Sequence, residues 1–175
     1  MQRWVNGINA GALQNRKTRV IYKRRNEMDL RFFYCPHCGN LIMFQYDAQT
    51  SPSCCGETMQ LLKANTKDGA FEKHIPVIFE EHMDLPADTC PGTRFTKKGC
   101  CESYVTVRIG ESAHPMTKDH YIEWIVLMTN MGTYTKFLEP GDLPEAVFCL
   151  CKGEKVHKAY CYCNLHGLWA SAELG

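Results

Sequence analysis

The stretch that decides the fold is Tyr121-Ile-Glu-Trp-Ile-Val-Leu-Met-Thr129, which is followed by Asn130-Met-Gly132 and then by Thr133-Tyr-Thr-Lys-Phe-Leu138. Two runs rich in β-branched and aromatic residues, joined by a short turn with Asn and Gly, are typical of a β-hairpin. The first run is apolar on both of its faces. A central strand of a sheet or a contact between two copies of the chain would each explain that pattern.

The same pattern of short β-prone runs recurs along the chain after His74, and no segment there shows sustained helical periodicity. Six strands are predicted, at residues 76–82, 103–109, 121–129, 133–138, 146–151 and 155–162. Turns that contain Gly, Pro, Asn or Asp separate them. Six or seven such strands over roughly a hundred residues favour an all-β sandwich.

The charge of the chain is unevenly distributed. Of 175 residues 45% are hydrophobic, which excludes a wholly disordered protein. Residues 1–27 contain seven of the 20 Lys and Arg but one of the 19 Asp and Glu, so the rest carries about −5. An acidic body argues against a nucleic-acid surface. We interpret residues 1–27 as an unstructured basic leader, with a mitochondrial-type transit peptide as the alternative.

Cysteine is unusually abundant. The chain has 11 cysteines, an odd number, and no secretory signal is predicted. Thiolate metal ligands in a reducing compartment are therefore favoured over a disulfide scaffold. Four of them lie close together as Cys35-Pro-His-Cys38 and Cys54-Cys55. Four sulfurs around one ion suit either zinc or a single iron, and a site that only stabilises a small domain is the simpler interpretation.

Four histidines and one cysteine form a second candidate group, because each stands beside a turn-type residue at the end of a predicted strand. They are His74, His114, His120, Cys163 and His166. Four imidazoles and one thiolate exceed the ligand number of tetrahedral zinc by one and leave a sixth octahedral position open. Nitrogen-rich ligation with a single thiolate favours a redox-active iron.

On these motifs the sequence resembles the desulfoferrodoxin type of superoxide reductase, the form with two irons. The resemblance extends over about residues 30–170 and also includes Glu72-Lys-His-Ile-Pro76, Pro144-Glu-Ala-Val-Phe148 and Cys163-Asn-Leu-His-Gly-Leu-Trp169. It implies a desulforedoxin-like metal domain at residues 28–63 and an immunoglobulin-like β-sandwich at 74–175, and the polar composition of residues 64–73 predicts a linker between them.

The resemblance also implies the activity: one-electron reduction of superoxide to hydrogen peroxide, without dioxygen evolution. It implies two iron ions per chain, one bound in a distorted tetrahedron by Cys35, Cys38, Cys54 and Cys55, and a catalytic one with the four histidines equatorial and Cys163 axial. Lys73 is expected to attract the anion, and Glu72 to help displace peroxide. The backbone amides of Leu165 and His166 are expected to tune the Cys163 sulfur.

Partners and location follow from the same resemblance. It implies superoxide as substrate, a rubredoxin-like electron donor, a homodimer and a cytoplasmic location, with neither nucleic acid nor a membrane as partner. The alternative function is an electron-transfer or structural metal–thiolate protein without superoxide chemistry. A zinc-ribbon binding module would leave the histidines without a role, and a superoxide dismutase would differ by evolving dioxygen.

Three features have no counterpart in the family. They are residues 1–27, an enlarged hairpin loop at residues 82–102, and six cysteines without a ligand role. These cysteines are Cys90, Cys100, Cys101, Cys149, Cys151 and Cys161. Structural thiols are the simplest interpretation, and a disulfide or a further metal site is the alternative.

Overall fold

The computed structural model describes residues 29–45, 49–67, 69–81 and 101–174, without the side chains of Glu81, Cys101 and Glu102. The predicted leader and most of the enlarged loop, including Cys90 and Cys100, lie outside the described residues. Within the described part, no helix has the length and apolar character needed to cross a membrane.

The described chain begins with a small sheet. Its three antiparallel strands, in the order β2-β1-β5, are β1 (Arg31–Tyr34), β2 (Leu41–Phe44) and β5 (Gln60–Leu62). A two-stranded ladder of β3 (Ser53–Cys54) and β4 (Glu57–Thr58) lies between β2 and β5 in the chain. One helical turn, α1 (Phe71–His74), follows.

Two antiparallel sheets then form a sandwich. The first has the order β10-β7-β6, with β6 (Pro76–Glu81), β7 (Cys101–Ile109) and β10 (Glu145–Cys151). The second has the order β12-β11-β8-β9, with β8 (Ile122–Thr129), β9 (Thr133–Phe137), β11 (Val156–Cys163) and β12 (Gly167–Ala170). Alternate apolar residues of both sheets point inward and build the core between them, including Val105, Val107, Ile125, Leu127, Phe148 and Ala159.

All six predicted strands are present, with ends within two residues of the predicted ones, and the all-β fold class is confirmed. Strand β12 was not predicted, because its four residues are all buried and too few to show an alternating pattern. The segment predicted as a polar linker, residues 64–73, overlaps α1, which places Glu72, Lys73 and His74 on a single turn.

Strand β8 is apolar on both faces for a reason that the sequence did not resolve. It is a central strand, paired with β11 and β9, and its outer face is covered by the N-terminal sheet. Phe32 stacks on Trp124, with ring centroids 5.3 Å apart and planes 18° from parallel. Asp29 adds a polar contact, accepting from Lys158 Nζ at 2.8 Å and from the Tyr160 hydroxyl at 3.1 Å. The small sheet and the sandwich therefore share a hydrophobic core.

Candidate metal centres

Two tight turns bring the four predicted cysteine sulfurs of the N-terminal sheet within 4.8 Å of one another. In the first turn the Gly39 amide donates to the Cys35 carbonyl at 2.9 Å. In the second, Cys55 and Gly56 both have positive φ values, 53° and 83°. A left-handed conformation is uncommon for a residue with a side chain, and here it accompanies two adjacent cysteines that present their sulfurs to the same centre.

The electrostatics of this group fit a bound cation. The backbone amide of Cys38 is the main cause that lowers the pKa of Cys35 to about 7. Hydrogen bonding with the neighbouring thiols, Cys38 first, raises the pKa of Cys55 to about 12. Four thiolates so close together repel one another, and a soft metal cation removes that repulsion. A hydrogen bond between His37 Nε2 and the Glu57 carboxylate, at 2.9 Å, links the two turns from outside.

The four-histidine group lies at one end of the sandwich. His74 ends α1, His114 and His120 lie in the connection from β7 to β8, Cys163 ends β11, and His166 lies in the turn before β12. Their five ligand atoms are all within 4.8 Å of one another. The structure thus brings together every member of the predicted group.

Backbone hydrogen bonds determine which ring nitrogens face the centre of this group. His74 Nδ1 lies 2.8 Å from the Ala70 carbonyl oxygen, and His114 Nδ1 lies 2.6 Å from that of Pro115. A carbonyl oxygen only accepts hydrogen bonds, so both Nδ1 atoms carry a proton and donate. The lone pairs of the neutral rings are therefore on the two Nε2 atoms, which lie 3.2 Å apart.

These nitrogens fit a metal ion. Two lone pairs at that separation repel each other unless a cation lies between them. His120 Nε2 is buried and has no hydrogen-bond partner among the described residues. His166 Nδ1 lies 2.9 Å from His74 Nε2 and 3.5 Å from Cys163 Sγ. Four nitrogens and one sulfur are a donor set suited to iron.

Burial keeps these rings ready to bind metal. It is the main cause that lowers the pKa of His114 to about 4, and it also lowers the pKa values of His74 and His120. The three rings are therefore neutral near pH 7. A metal ion binds the neutral imidazole, so at this pH it does not compete with a proton.

Cys163 receives opposing influences. Burial raises the pKa of its thiol, whereas the backbone amides of His166 and Leu165 lower it. These two amides match the expectation from the sequence that they hydrogen-bond to the sulfur. Donors aimed at a ligating sulfur reduce its electron donation and hold it in place.

Asn164 has a positioning role that the sequence did not indicate. Its side-chain amide donates to the Asp119 carbonyl at 2.9 Å, and its Oδ1 accepts from the Tyr121 amide at 3.0 Å. Both partners flank His120. Asn164 therefore fixes the loop that carries one ligand against the turn that carries two others, Cys163 and His166.

His74 is supported from two sides. Its ring stacks on the buried Trp169, with centroids 4.6 Å apart and planes 23° from parallel. Its carbonyl oxygen accepts from the thiol of Cys161 at 3.4 Å. Cys161 is fully buried, and burial raises its pKa well above the ordinary value, so it is a neutral thiol. The expectation of a structural thiol is confirmed for Cys161, while Cys149 and Cys151 are half-buried on β10.

Glu72 and Lys73 are both exposed and lie on the same helical turn as His74. Burial is the main cause that lowers the pKa values of His74 and His120, and the Lys73 ammonium lowers both further. The Glu72 carboxylate acts in the opposite direction on His74. The charge of Lys73 thus extends to two of the five candidate ligands.

The fold and the two donor groups define a β-sandwich metalloprotein with one thiolate site and one histidine–thiolate site. A family model described as desulfoferrodoxin matches residues 66–172, so the chain belongs to the desulfoferrodoxin family. It is 43% identical over 137 residues to the desulfoferrodoxin of Nitratidesulfovibrio vulgaris, covering 78% of this chain and 91% of that protein.

Relatives named for an enzymatic activity are similar as well. The superoxide reductase of Pyrococcus abyssi is 33% identical over 126 residues, covering 62% of this chain and 94% of that protein. The crystal structure of the superoxide reductase from Treponema pallidum superimposes with a TM-score of 0.58 at 33% identity. That match covers 82% of this chain and 98% of the other.

Proposed function

We propose that the four-histidine group is the place where this chain, a superoxide reductase, converts superoxide to hydrogen peroxide. The observation that carries the proposal is the convergence of four ring nitrogens and one buried sulfur within 4.8 Å. Iron held there by His74, His114, His120, His166 and Cys163 would supply the electron. The protein residues hold the donor set, exclude water from its buried side and attract the substrate.

Lys73 attracts the superoxide anion. Its side chain is exposed and adjacent in sequence to His74. Its positive charge extends to both His74 and His120, so the potential is favourable for an anion on that side of the site. Steering of this kind raises an association rate by about 10–1,000-fold.

Glu72 assists release of the peroxide product. It lies one residue before Lys73 on the same turn and is exposed. Its carboxylate would take the place of peroxide at the open side of the site, which favours release of the product.

The partners complete the proposal. We infer a rubredoxin-like electron donor, a homodimer and a cytoplasmic location, with neither nucleic acid nor a membrane bound. From residue 28 on, the chain would be divided into a desulforedoxin-like domain at 28–63, a linker at 64–73 and the sandwich domain at 74–175. Membership of the family and the acidic character of residues 28–175 support these assignments. Sedimentation analysis and stopped-flow reduction by rubredoxin would test them.

The test of the activity is stoichiometric. Iron-loaded protein with an electron donor should form one hydrogen peroxide for each superoxide consumed and evolve no dioxygen. Evolution of one dioxygen for every two superoxides would identify a dismutase instead. Metal analysis should find iron in both sites, and the oxidised protein should show a thiolate-to-iron absorption band. Zinc in the four-histidine site, or no metal there, would exclude the proposal.

A further inference from the structure

Asn65 fastens the segment before α1 to the edge of the second sheet. Its backbone amide donates to the Leu168 carbonyl at 3.1 Å. Its side chain exchanges two hydrogen bonds with the backbone of Ala170, donating to the carbonyl at 3.1 Å and accepting from the amide at 2.9 Å. Asn65 has a φ of 60°, a left-handed conformation that Asn adopts more readily than most residues. Because β12 is an edge strand, these bonds satisfy backbone groups that no neighbouring strand covers.

This attachment places Lys67 against Gly167. A β-carbon built on Gly167 would lie 3.3 Å from both Cδ and Cε of Lys67 and 3.5 Å from its Nζ. Gly167 is the direct strand partner of Cys163 in the β11–β12 hairpin. The lysine side chain therefore lies along the turn that contains the sulfur and the amides bonded to it.

Two lysines act on different ligands of the site. The charge of Lys73 acts on His74 and His120. Lys67 lies against Gly167, the strand partner of Cys163, and its ammonium interacts favourably with negative charge on the sulfur. The Glu123 carboxylate interacts unfavourably with that charge, so Lys67 and Glu123 oppose each other at the sulfur.

We propose that Lys67 is a positioning residue that acts through Cys163: its ammonium, held over Gly167, stabilises negative charge on the sulfur and raises the reduction potential of the histidine–thiolate centre. The inference rests on the proposed function, because it assumes iron at that centre. A positive charge favours the state that has gained an electron. It also lowers the energy of the sulfur electrons, which moves the thiolate-to-iron absorption band to shorter wavelength.

The test uses the iron-loaded full chain in a redox titration followed by visible absorption. Lys67→Met keeps the length of the apolar stem and removes the charge, whereas Lys67→Arg keeps the charge. Lys136→Met removes a charge from β9, three strands away from β12 in the sheet. The four-cysteine centre, which no substitution alters, is an internal reference in the same titration.

We expect Lys67→Met to lower the potential of the histidine–thiolate centre and to move its band to longer wavelength. Lys67→Arg and Lys136→Met should both match the unsubstituted protein. Since Lys67 is exposed, the difference should shrink as ionic strength rises.

Each other outcome overturns the inference. An unchanged reduction potential and absorption band in Lys67→Met would refute the role of Lys67 and leave the proposed function standing. Equal shifts in Lys67→Met and Lys136→Met would show an effect of net charge rather than of position. If the unsubstituted protein lacked the band, the proposed function would fail together with this inference.

Discussion

Gly110 lies directly against the backbone of Lys73. A β-carbon at residue 110 would be 2.7 Å from both Cα and the carbonyl carbon of Lys73 and 2.5 Å from the Ser112 carbonyl oxygen. Its φ of 82° is also left-handed. Hydrogen bonds from Gly110 to Ile75, at 3.0 Å, and from Ser112 to Glu72, at 3.1 Å, complete the contact. The turn after β7 therefore holds the helical turn that presents Glu72, Lys73 and His74.

Gly110→Ala should displace that helical turn. The left-handed backbone alone costs about 1–2 kcal/mol, and the clash adds to it because the neighbouring atoms are backbone. We expect a lower free energy of unfolding in urea and a lower iron content at the four-histidine site. Gly141→Ala is the matched control, since its φ of 95° is also left-handed but a β-carbon there meets nothing within 4 Å. Equal stability of the two variants would contradict the contact.

Asn164→Ala should weaken metal binding more than it weakens the fold. Loss of the bonds to Asp119 and Tyr121 frees the loop of His120, and loss of such outer support typically costs about 10–100-fold in metal affinity. Competition with a chelator would measure the loss. Asn130→Ala is the control. It also removes two side-chain hydrogen bonds, to Gly153 and Lys155, but Asn130 follows the end of β8 that is farther from the site. A similar loss of affinity in both variants would refute the positioning role.

Lys73→Ala should slow the second-order reaction with superoxide by about 10-fold or more, because the anion loses its attractor. Metal content and visible spectrum should hardly change. The rate of the unsubstituted protein should fall as salt rises, since the screening length is about 8–10 Å near physiological ionic strength. In the variant this dependence should flatten. Stopped-flow mixing with superoxide at several salt concentrations measures both, and an unchanged rate and slope would leave Lys118 as the next candidate.

Two cysteine substitutions should separate the centres. Cys163→Ser should abolish superoxide reduction and leave the four-cysteine centre intact, because a hydroxyl does not replace a thiolate ligand at neutral pH. Cys35→Ser should remove the colour of the four-cysteine centre and leave most of the reduction. Metal analysis and peroxide assays on both proteins test this. Loss of activity in Cys35→Ser would make the first centre an obligatory electron relay.

The parts of this protein that the sequence predicts are those with a local signature. Short runs rich in β-branched and aromatic residues, separated by turn residues, predicted six strands, and ligand residue types beside turns predicted both donor groups. The roles of Asn164 and Lys67 were not predicted, because they depend on partners distant in sequence. Asn164 bonds to residue 119, and Lys67 lies against residue 167. The need for glycine at residue 110 was not predictable either, because the residues next to it in sequence do not indicate the close approach of the Lys73 backbone.

The sequence showed that β8 is apolar on both faces and left two explanations open. The central strand is the correct one, because β8 pairs with β11 and β9. What the sequence did not reveal is the cover of its outer face, which includes Phe32 of β1 and the adjacent Leu30, about ninety residues earlier in the chain. Such a contact follows from tertiary packing and not from local pattern.

The stacking of Phe32 on Trp124 limits how this protein can be shortened. A fragment starting at residue 64 would keep all five residues of the histidine–thiolate group, but it would expose the apolar side of Trp124, Val126, Met128 and Leu168 to water. An uncovered sheet face of this kind is an aggregation hazard. A single-centre version of this chain would therefore need polar replacements on that face before it stayed in solution, whatever the state of its iron.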